Sequence, residues 1–192
     1  MASLLFVCTG NICRSPMAEG FARRLSNDLE AGAEVGSVGI VGWDGSPAVG
    51  ESVDAARERG ADISGHLARR LEARHVEDAG VVVGMSREHR DAVVRLVPDA
   101  AGRTFTMKEL VRLLEAAPSE GSFQDRIRAA DELRRSGFDG VPSDEDVSDP
   151  LGMSFEMFRA VAWDIDEWCV RLMHALFEPA RDTTAGAQGR PT

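Results

Sequence analysis

Short apolar runs alternate with helical patterns along this chain, and that alternation restricts its fold more than any other feature of the sequence. Four short runs are predicted to be strands, of which 80–86 is the clearest because it is rich in valine, and each precedes a segment with apolar residues at helical spacing. Strands joined by helices imply βαβ units, a parallel sheet and right-handed crossovers. The runs lie at 4–7, 35–41, 80–86 and 103–106, and helices are expected from Ser15 onward and at about 47–59, 87–96, 107–117, 123–137 and 154–177.

The length and composition fit one globular domain. Of the 192 residues, 43% are apolar, which is enough to bury a substantial core. We expect a single α/β domain over 1–177, with a central parallel sheet of about four strands flanked by helices. The region 103–147 is polar and acidic, and we interpret it as a helical insertion. Residues 178–192 have almost nothing to bury, so a disordered tail is expected.

The net charge of −10 argues against two classes of partner. Nonspecific nucleic-acid binding and membrane-surface binding both depend largely on basic patches that neutralise phosphates. No apolar run approaches the ~20 residues of a membrane span, and the start of the chain lacks the basic segment and cleavage site of a signal peptide. Three cysteines, an odd number, do not form an extracellular disulfide framework. We therefore predict a cytoplasmic protein with reduced thiols that binds neither nucleic acid nor membranes.

The stretch VCTGNICRSPMAEG joins the first predicted strand to the first predicted helix and contains most of the candidate chemistry. Cys8 ends the strand, and Arg14 stands just before the helix start marked by Ser15 and Pro16. Ligands bind at this edge of an open α/β sheet because loop amides and the helix N-terminus converge there. The backbone N–H groups from Thr9 through Arg14 would surround a tetrahedral oxyanion such as phosphate, and the Arg14 guanidinium would add a bidentate grip.

The same donors favour the thiolate form of Cys8, which would lie at the bottom of the loop and face the phosphorus. Ser15 would donate a hydroxyl hydrogen bond to the sulfur. Gly10 and Asn11 tolerate the left-handed backbone that a tight loop demands. The loop therefore predicts a cysteine nucleophile that acts on a phosphate ester.

These residues resemble the low-molecular-weight protein tyrosine phosphatase family. CTGNICRS matches the family's cysteine-x5-arginine-serine loop, and Asp149-Pro150 matches its general-acid loop. DISGHLARRL is similar to the family segment in which a histidine supports the loop asparagine, which would pair His66 with Asn11. The resemblance implies a phosphatase I-like fold with flavodoxin-like winding. Three nearby acids lack the following proline and are alternatives to Asp149: Asp144, Glu145 and Asp146.

The resemblance covers roughly 3–100 and 147–177 and implies roles for the site residues. Cys8 attacks the phosphorus and forms a phosphocysteine, while Arg14 and the loop amides stabilise the spread charge of the transition state. Asp149 protonates the leaving group and then activates the hydrolytic water. The implied partners are a phosphorylated protein and inorganic phosphate, as product or inhibitor. The remaining substrate-binding residues are Thr9, Gly10, Asn11, Ile12, Cys13, Ser15 and Trp43, with His66 as support for the loop.

No metal or cofactor is required by this mechanism, and the sequence offers no metal motif. His89 opens the segment HRDAVV, but no second histidine follows it at helical spacing. We therefore predict no metal site and no cofactor.

Two departures from the family pattern concern the substrate rather than the chemistry. The family usually has an aromatic residue after Asp-Pro, whereas Leu151 follows here and the chain has no tyrosine. Trp43, in the segment corresponding to the family's other rim loop, could supply a stacking surface instead, or could be a partly buried core residue. The region 103–147 exceeds the family's usual connection and could cover the pocket or carry a partner site.

Three other functions compete with tyrosine phosphatase. A protein phosphoarginine phosphatase shares the entire mechanism, but that branch typically has threonine where Ile12 stands, and isoleucine would leave guanidinium donors unpaired. Phosphotyrosine is therefore the expected substrate. An arsenate reductase needs further resolving cysteines, and only Cys169 is available, on a helix face expected to be buried. A noncatalytic oxyanion-binding module would be expected to lose the nucleophile or the acid, yet Cys8, Arg14 and Asp149 are all present.

Cys13 lies on the same loop as Cys8, five positions further on. A neighbouring thiol can trap an oxidised thiolate as a reversible disulfide, and the resemblance implies the same protection here. The alternative is that Cys13 is only a small packing residue. We predict a redox-sensitive site.

Overall fold

Four strands form one parallel sheet in the computed structural model, which describes residues 2–118, 120–138 and 145–178. The strands are β1 (Ser3–Cys8), β2 (Glu34–Gly39), β3 (Val81–Gly84) and β4 (Thr104–Thr106). Their order in the sheet is β2-β1-β3-β4, so β1 is central and has Leu4 in register with Val35 on one side and Val81 on the other. The predicted single α/β domain with about four parallel strands is confirmed.

The described residues contain seven α-helices and a short 3₁₀ helix at Pro98–Arg103. The boundaries of the six predicted helices agree with the sequence patterns within a few residues, whereas the short helix Ala73–Glu77 was not predicted. The largest shift is at the start of the predicted helix 47–59, because the residues before Gly50 are extended: Pro47 makes an isolated antiparallel bridge with Leu67. The α-helices are α1 (Arg14–Asp28), α2 (Gly50–Glu58), α3 (Ala73–Glu77), α4 (Arg87–Leu96), α5 (Met107–Ala116), α6 (Phe123–Arg135) and α7 (Phe155–Phe177).

Alternate residues of β1 face opposite sides of the sheet, as the strand's two-residue period requires. Leu4 and Phe6 belong to the larger core, which is completed mainly by α1, α5 and α7. Leu5 and Val7 belong to a smaller core with Val76 of α3, Val93 of α4 and Ala100. Burial of each such aliphatic or aromatic side chain stabilises the fold by roughly 1.5–3 kcal/mol. Packing on both faces of the sheet therefore holds the carboxyl end of β1, where Cys8 lies, in position.

Helix α7 packs its apolar stripe against the larger core, as its sequence spacing predicts. The buried members are Phe158, Val161, Ile165, Cys169, Leu172 and Leu176. Of the two candidates at one turn of the stripe, Cys169 is the buried residue, whereas Trp168 is only partly buried and lies beside the guanidinium groups of Arg112 and Arg171.

Much of the region 103–147 is part of the domain's core rather than an addition to its surface. It supplies β4, and α5 packs against α7 with Leu110 and Leu113 fully buried. Ile127 of α6 joins the same core. Apolar residues at helical spacing bury one face of α5 in the core, although the region as a whole is acidic. Residues 139–144 of the region and 179–192 of the predicted tail lie outside the described residues.

In the part of the chain that the structure describes, no helix has both the length and the apolar character needed to cross a membrane.

Candidate active site

The loop that follows β1 crosses the carboxyl end of the sheet in close contact with β2. A Cβ at Gly39 would lie 2.7 Å from the Thr9 carbonyl oxygen and 2.8 Å from the Asn11 nitrogen, so only glycine fits there. Asn11 has a φ of 57°, a left-handed conformation that asparagine tolerates better than most residues. Gly10 does not have a positive φ, and a Cβ there would make an ordinary 3.4 Å contact with Ile12. Of the two residues expected to tolerate a left-handed backbone, Asn11 therefore takes that conformation and Gly10 does not.

Two donors contact the buried sulfur of Cys8. The Asn11 backbone N–H donates to Sγ over 3.3 Å, and the Ser15 hydroxyl donates to it over 3.0 Å. Hydrogen-bond donors stabilise a thiolate because they present partial positive charge to the sulfur. The structure thus brings Ser15 to the sulfur, as the sequence predicts.

The side chain of Asn11 sets the direction of these hydrogen bonds. Its Nδ2 donates to the Ser15 hydroxyl over 2.9 Å and to the Ser37 hydroxyl over 2.8 Å. Both serine oxygens are thereby acceptors for Asn11, and each hydroxyl hydrogen remains for another partner. Ser15 directs its hydrogen to Cys8. Ser37 donates to the Glu19 carboxylate over 2.5 Å. The network therefore connects Cys8, the predicted nucleophile, on one side to the Glu19 carboxylate on the other.

His66 supports the backbone of Asn11. Its Nε2 lies 2.8 Å from the Asn11 carbonyl oxygen, which can only accept, so Nε2 carries a hydrogen. The Arg69 backbone N–H donates to Asn11 Oδ1 over 2.8 Å. On its other side, His66 Nδ1 lies 3.8 Å from the Glu19 carboxylate. Asn11 is thus held through both its main chain and its side chain, which keeps it in the left-handed conformation.

Arg14 connects the loop to the predicted general acid. Its Nη1 donates to the Val147 carbonyl over 3.1 Å, and its Nη2 donates to the Thr9 hydroxyl over 3.3 Å. The same Nη2 forms an ion pair with Asp149 Oδ2 at 2.5 Å. The Leu151 N–H donates to the other carboxylate oxygen of Asp149. The Arg14 side chain is buried, whereas that of Asp149 is 45% exposed, so the carboxylate can also meet a ligand entering from solvent.

The other acids proposed as alternatives have different partners. Asp146 accepts a hydrogen bond from the Arg87 backbone N–H, and Glu145 accepts one from the Thr106 hydroxyl. Burial, with Glu109 nearby, raises the pKa of Glu145. Asp144 lies outside the described residues. Among the acids that the structure describes, Asp149 is the one paired with Arg14.

His89, at the start of α4, contacts the loop through Thr9. Its Nε2 lies 3.0 Å from the Thr9 hydroxyl, and its Nδ1 lies 2.7 Å from the Ser86 hydroxyl. Burial lowers the pKa of His89 from its usual 6.5 to about 4, and the positive charge of Arg14 contributes to the shift. The imidazole is therefore neutral at physiological pH.

The neutral state of His89 predicts a pH-dependent contribution to stability. Below about pH 6.5 the unfolded chain binds a proton at this residue, whereas the folded protein does not until about pH 4. The stability that His89 contributes is therefore complete above pH 6.5 and is lost as the pH falls from 6.5 to 4. Between about pH 7 and 4.5, the parent should lose about 2–3 kcal/mol more unfolding free energy than His89→Gln. Urea unfolding at both pH values measures the difference, and equal losses would contradict it.

A small cavity of about 60 Å³ gathers eight of the predicted site residues. Trp43 and Leu151 are 45% and 49% exposed in its wall, while Ile12 is buried there. Trp43 therefore lines this cavity and is not a core residue. A larger cavity of about 500 Å³ lies behind the loop, beside Glu19 and His66, and has no nucleophile in its wall. The smaller cavity is lined by Cys8, Thr9, Gly10, Ile12, Cys13, Arg14, Trp43, Asp149 and Leu151.

The three free cysteines differ in their surroundings. Burial raises the pKa of Cys13 to about 12, an effect that a hydrogen bond with Ser52 partly offsets. Burial also raises the pKa of Cys169 in the core. Both are protonated thiols at neutral pH, and Cys8 differs from them in receiving two hydrogen bonds at its sulfur. Within the described residues, no group of three or more His, Cys, Asp or Glu side chains is arranged to hold a metal ion.

Sequence reasoning missed three side chains that complete the site: Glu19, Ser37 and His89. Two of them, Ser37 and His89, could have been predicted from the order of the strands. Ser37 is on β2, directly beside β1, and His89 is in the first turn after β3, the other neighbour of β1. Side chains at the carboxyl ends of adjacent parallel strands meet at one edge of a sheet.

Comparisons with known proteins agree with this geometry. The family described as "Low molecular weight phosphotyrosine protein phosphatase" matches residues 3–125. A protein-arginine-phosphatase from Geobacillus stearothermophilus is 32% identical over 90% of this chain and 95% of its own length. The low molecular weight protein-tyrosine-phosphatase Etp of Escherichia coli K12 is 36% identical over 53% of this chain and 66% of its own. The crystal structure of a low molecular weight protein tyrosine phosphatase from T. tengcongensis has a TM-score of 0.72 and 32% identity, covering 92% of this chain and all of that one.

Proposed function

Because the chain belongs to the low molecular weight phosphotyrosine protein phosphatase family, we propose that it hydrolyses phosphotyrosine in proteins through a phosphocysteine intermediate. One observation carries the proposal: the Cys8 sulfur receives hydrogen bonds from Asn11 and Ser15 inside a loop that the Arg14 guanidinium adjoins. A sulfur that accepts two hydrogen bonds beside a buried cation is suited to be a thiolate nucleophile.

The first chemical step transfers the phosphoryl group to sulfur. The Cys8 thiolate attacks the phosphorus in line with the leaving oxygen, so the S–P bond forms as the O–P bond breaks. Asp149 gives its proton to the leaving oxygen. Arg14 and the loop amides hold the equatorial oxygens, whose charge is spread in the transition state. In the second step a water gives its proton to Asp149 and attacks the phosphorus, which releases phosphate and the thiolate.

Substrate binding exchanges the partners of Arg14. In the structure, its Nη2 is paired with Asp149. A phosphate dianion offers the guanidinium two oxygens in bidentate geometry and displaces the single carboxylate oxygen. Once released from Arg14, the Asp149 carboxyl is free to face the leaving oxygen of the substrate. The ion pair therefore couples phosphate binding to the placement of the proposed general acid.

The wall of the cavity supports phosphotyrosine as the substrate. Ile12 offers apolar surface beside the leaving group, and Trp43 offers an exposed ring for an aromatic substrate. Leu151 stands where the family usually has an aromatic residue. Protein phosphoarginine is the second candidate, supported by the 32% identity to a protein-arginine-phosphatase over nearly its whole length. Arsenate reduction has no further support, because Cys169 is buried in the core.

A turnover panel tests the proposal directly. Matched peptides with phosphotyrosine, phosphoarginine or phosphoserine, together with arsenate and a thiol reductant, would be compared at equal enzyme concentration. We expect phosphotyrosine to have the highest kcat/KM. A higher kcat/KM for phosphoarginine would establish the second candidate, and activity on none of them would favour a noncatalytic oxyanion-binding module.

Substitution of Ile12 tests the origin of substrate preference. Ile12→Thr should move the ratio of kcat/KM toward phosphoarginine by roughly tenfold or more, since a hydroxyl can meet a guanidinium donor that isoleucine leaves unpaired. Ile12→Val is the matched control, because it keeps a β-branched apolar side chain, and its ratio should stay near that of the parent. A parent that already favours phosphoarginine, with no change in Ile12→Thr, would refute the role of Ile12.

Cys13 gives the site a proposed protection against oxidation. Peroxide converts the Cys8 thiolate to a sulfenic acid, and the Cys13 sulfur then displaces the hydroxyl as water, forming a disulfide that a thiol reductant reopens. After peroxide and reductant, activity should return in the parent but much less in Cys13→Ser. The trap should form faster as the pH rises, since burial holds the pKa of Cys13 at about 12. Identical recovery in both proteins would refute it.

The family membership implies phosphorylated proteins as substrates, with inorganic phosphate as the product. We also propose a cytoplasmic location, because three cysteines, an odd number, do not form an extracellular disulfide framework. Its net charge of −10 supports the absence of nucleic-acid and membrane partners. We propose 1–177 as the phosphatase domain.

A further inference from the structure

A chain of hydrogen bonds runs from α4 to the guanidinium of Arg14. Ser86 Oγ lies 2.7 Å from His89 Nδ1, His89 Nε2 lies 3.0 Å from Thr9 Oγ1, and Arg14 Nη2 donates to that same oxygen over 3.3 Å. His89 is only 1% exposed. The imidazole at the centre of this chain of hydrogen bonds is therefore shielded from water, whereas Thr9 is half-buried in the wall of the cavity.

Glycine at the end of β3 brings His89 this close to the loop. A Cβ at Gly84 would lie 2.8 Å from the Arg90 backbone nitrogen and 3.3 Å from the Cβ of His89. Any larger residue would push the first turn of α4 away from the sheet edge. The approach of His89 to Thr9 is thus built into the backbone.

The partners of the Thr9 hydroxyl fix the direction of the chain. Its oxygen accepts from Arg14, whose guanidinium can only donate. Among the described residues, the acceptor within reach of the hydroxyl hydrogen is His89 Nε2. A neutral imidazole has one N–H, so this hydrogen lies on Nδ1 and is donated to Ser86. Both imidazole nitrogens and the Thr9 hydroxyl then have partners of the right kind.

We propose that His89 is a positioning residue for phosphate binding: by accepting the Thr9 hydroxyl hydrogen it turns the Thr9 oxygen toward Arg14 and fixes the plane of the guanidinium. This rests on the proposed role of Arg14 as the phosphate-binding residue. Arg14 has three contacts with the protein, from Val147, Thr9 and Asp149. Phosphate displaces the third, so Val147 and Thr9 are the two that define the plane while substrate is bound.

A neutral His89 is essential to this role. A doubly protonated imidazole would donate to Thr9 from Nε2 and would bring a second positive charge toward Arg14. The charged groups that bear on His89 are Arg14 from α1 and the carboxylates of Asp146 and Asp149. If the Arg14 guanidinium is already held in the correct plane, it need not reorient when charge develops in the transition state. The plane of this group therefore affects the rate.

Four variants test the proposal: Thr9→Val, His89→Met, the double variant, and His89→Gln. Glutamine places an acceptor near the position of Nε2, and methionine has a similar shape without one. The measurements are kcat/KM for p-nitrophenyl phosphate, the inhibition constant of inorganic phosphate, and phosphate binding by titration calorimetry. His75→Gln is the matched control, because His75 does not line the cavity and its Nδ1 accepts a hydrogen bond from the Glu72 backbone N–H just before α3.

Thr9→Val and His89→Met should each lower kcat/KM and weaken phosphate binding by roughly tenfold, and the double variant should be no worse than either. His89→Gln should recover most of the loss, and His75→Gln should bind phosphate like the parent. Additive losses in the double variant would overturn the proposal. So would equal behaviour of His89→Gln and His89→Met, or a His89→Met protein with lower stability and unchanged phosphate affinity. A parent that binds phosphate but does not turn over would refute the proposed function alone, and the calorimetric comparison would still decide the role of His89.

Discussion

Cys8→Ser should abolish turnover while the fold and the binding of phosphate survive. The serine oxygen would occupy nearly the position of the sulfur and would still contact Asn11 and Ser15, so the loop has no reason to rearrange. A hydroxyl does not ionise near neutral pH, however, and the donors that stabilise a thiolate cannot make it a comparable nucleophile. We expect the rate of phosphotyrosine hydrolysis to fall by at least about 10³-fold.

Steady-state rates and phosphate titration of the same preparation check this result. Cys169→Ala is the matched control, because it removes a buried thiol that lies outside the cavity and should keep its activity per folded molecule. Residual activity of Cys8→Ser above a few per cent would rule out Cys8 as the nucleophile. A loss of phosphate binding along with activity would point instead to a collapsed loop.

Asp149→Asn should slow hydrolysis by ~10²–10⁴-fold, the range typical of general acid–base catalysis. The loss should be largest for substrates with poor leaving groups, because these depend most on protonation of the departing oxygen. Rates across a series of aryl phosphates with different leaving-group pKa values measure this dependence. An equal loss across the series would identify Asp149 as a structural residue.

Asp146→Asn is the control for this substitution. It changes a nearby acid by the same single atom and keeps an oxygen for the Arg87 backbone N–H, so its rate should stay close to that of the parent. Phosphate affinity distinguishes the role of Asp149 as a proton donor from its role as a competitor of phosphate for Arg14. Since the carboxylate competes with phosphate for Arg14, Asp149→Asn should bind phosphate at least as tightly as the parent. Weaker binding would contradict the proposed exchange.

The exchange at Arg14 also links the two halves of the site. The loop comes from the start of the chain and Asp149 from near its end, and the guanidinium contacts both. The Val147 N–H is in turn anchored to the Met85 carbonyl at the end of β3. The proposed general acid is therefore positioned by the sheet as well as by its ion pair with Arg14.

The sequence by itself determined the parts of the site that are close together in the chain. Cys8 and Arg14 flank one loop between a strand and a helix, so their meeting follows from local geometry. The same holds for the contact of Ser15 with the sulfur. The parallel sheet followed from the alternation of apolar runs and helical patterns. Local spacing was sufficient in these cases because few backbone angles separate the groups.

Only the tertiary structure decided which distant side chains complete the site. Ser37 and His89 reach the loop from the strands on either side of β1, and nothing in their local sequence shows that they do. The tertiary structure also decided that Asn11, and not Gly10, takes the left-handed conformation, in a loop that Gly39 allows to approach β2 closely. It likewise decided that much of 103–147 is core, because α5 packs against α7. Strand order and packing of opposite faces are set by the free energy of the whole chain, which brings together residues that no local pattern relates.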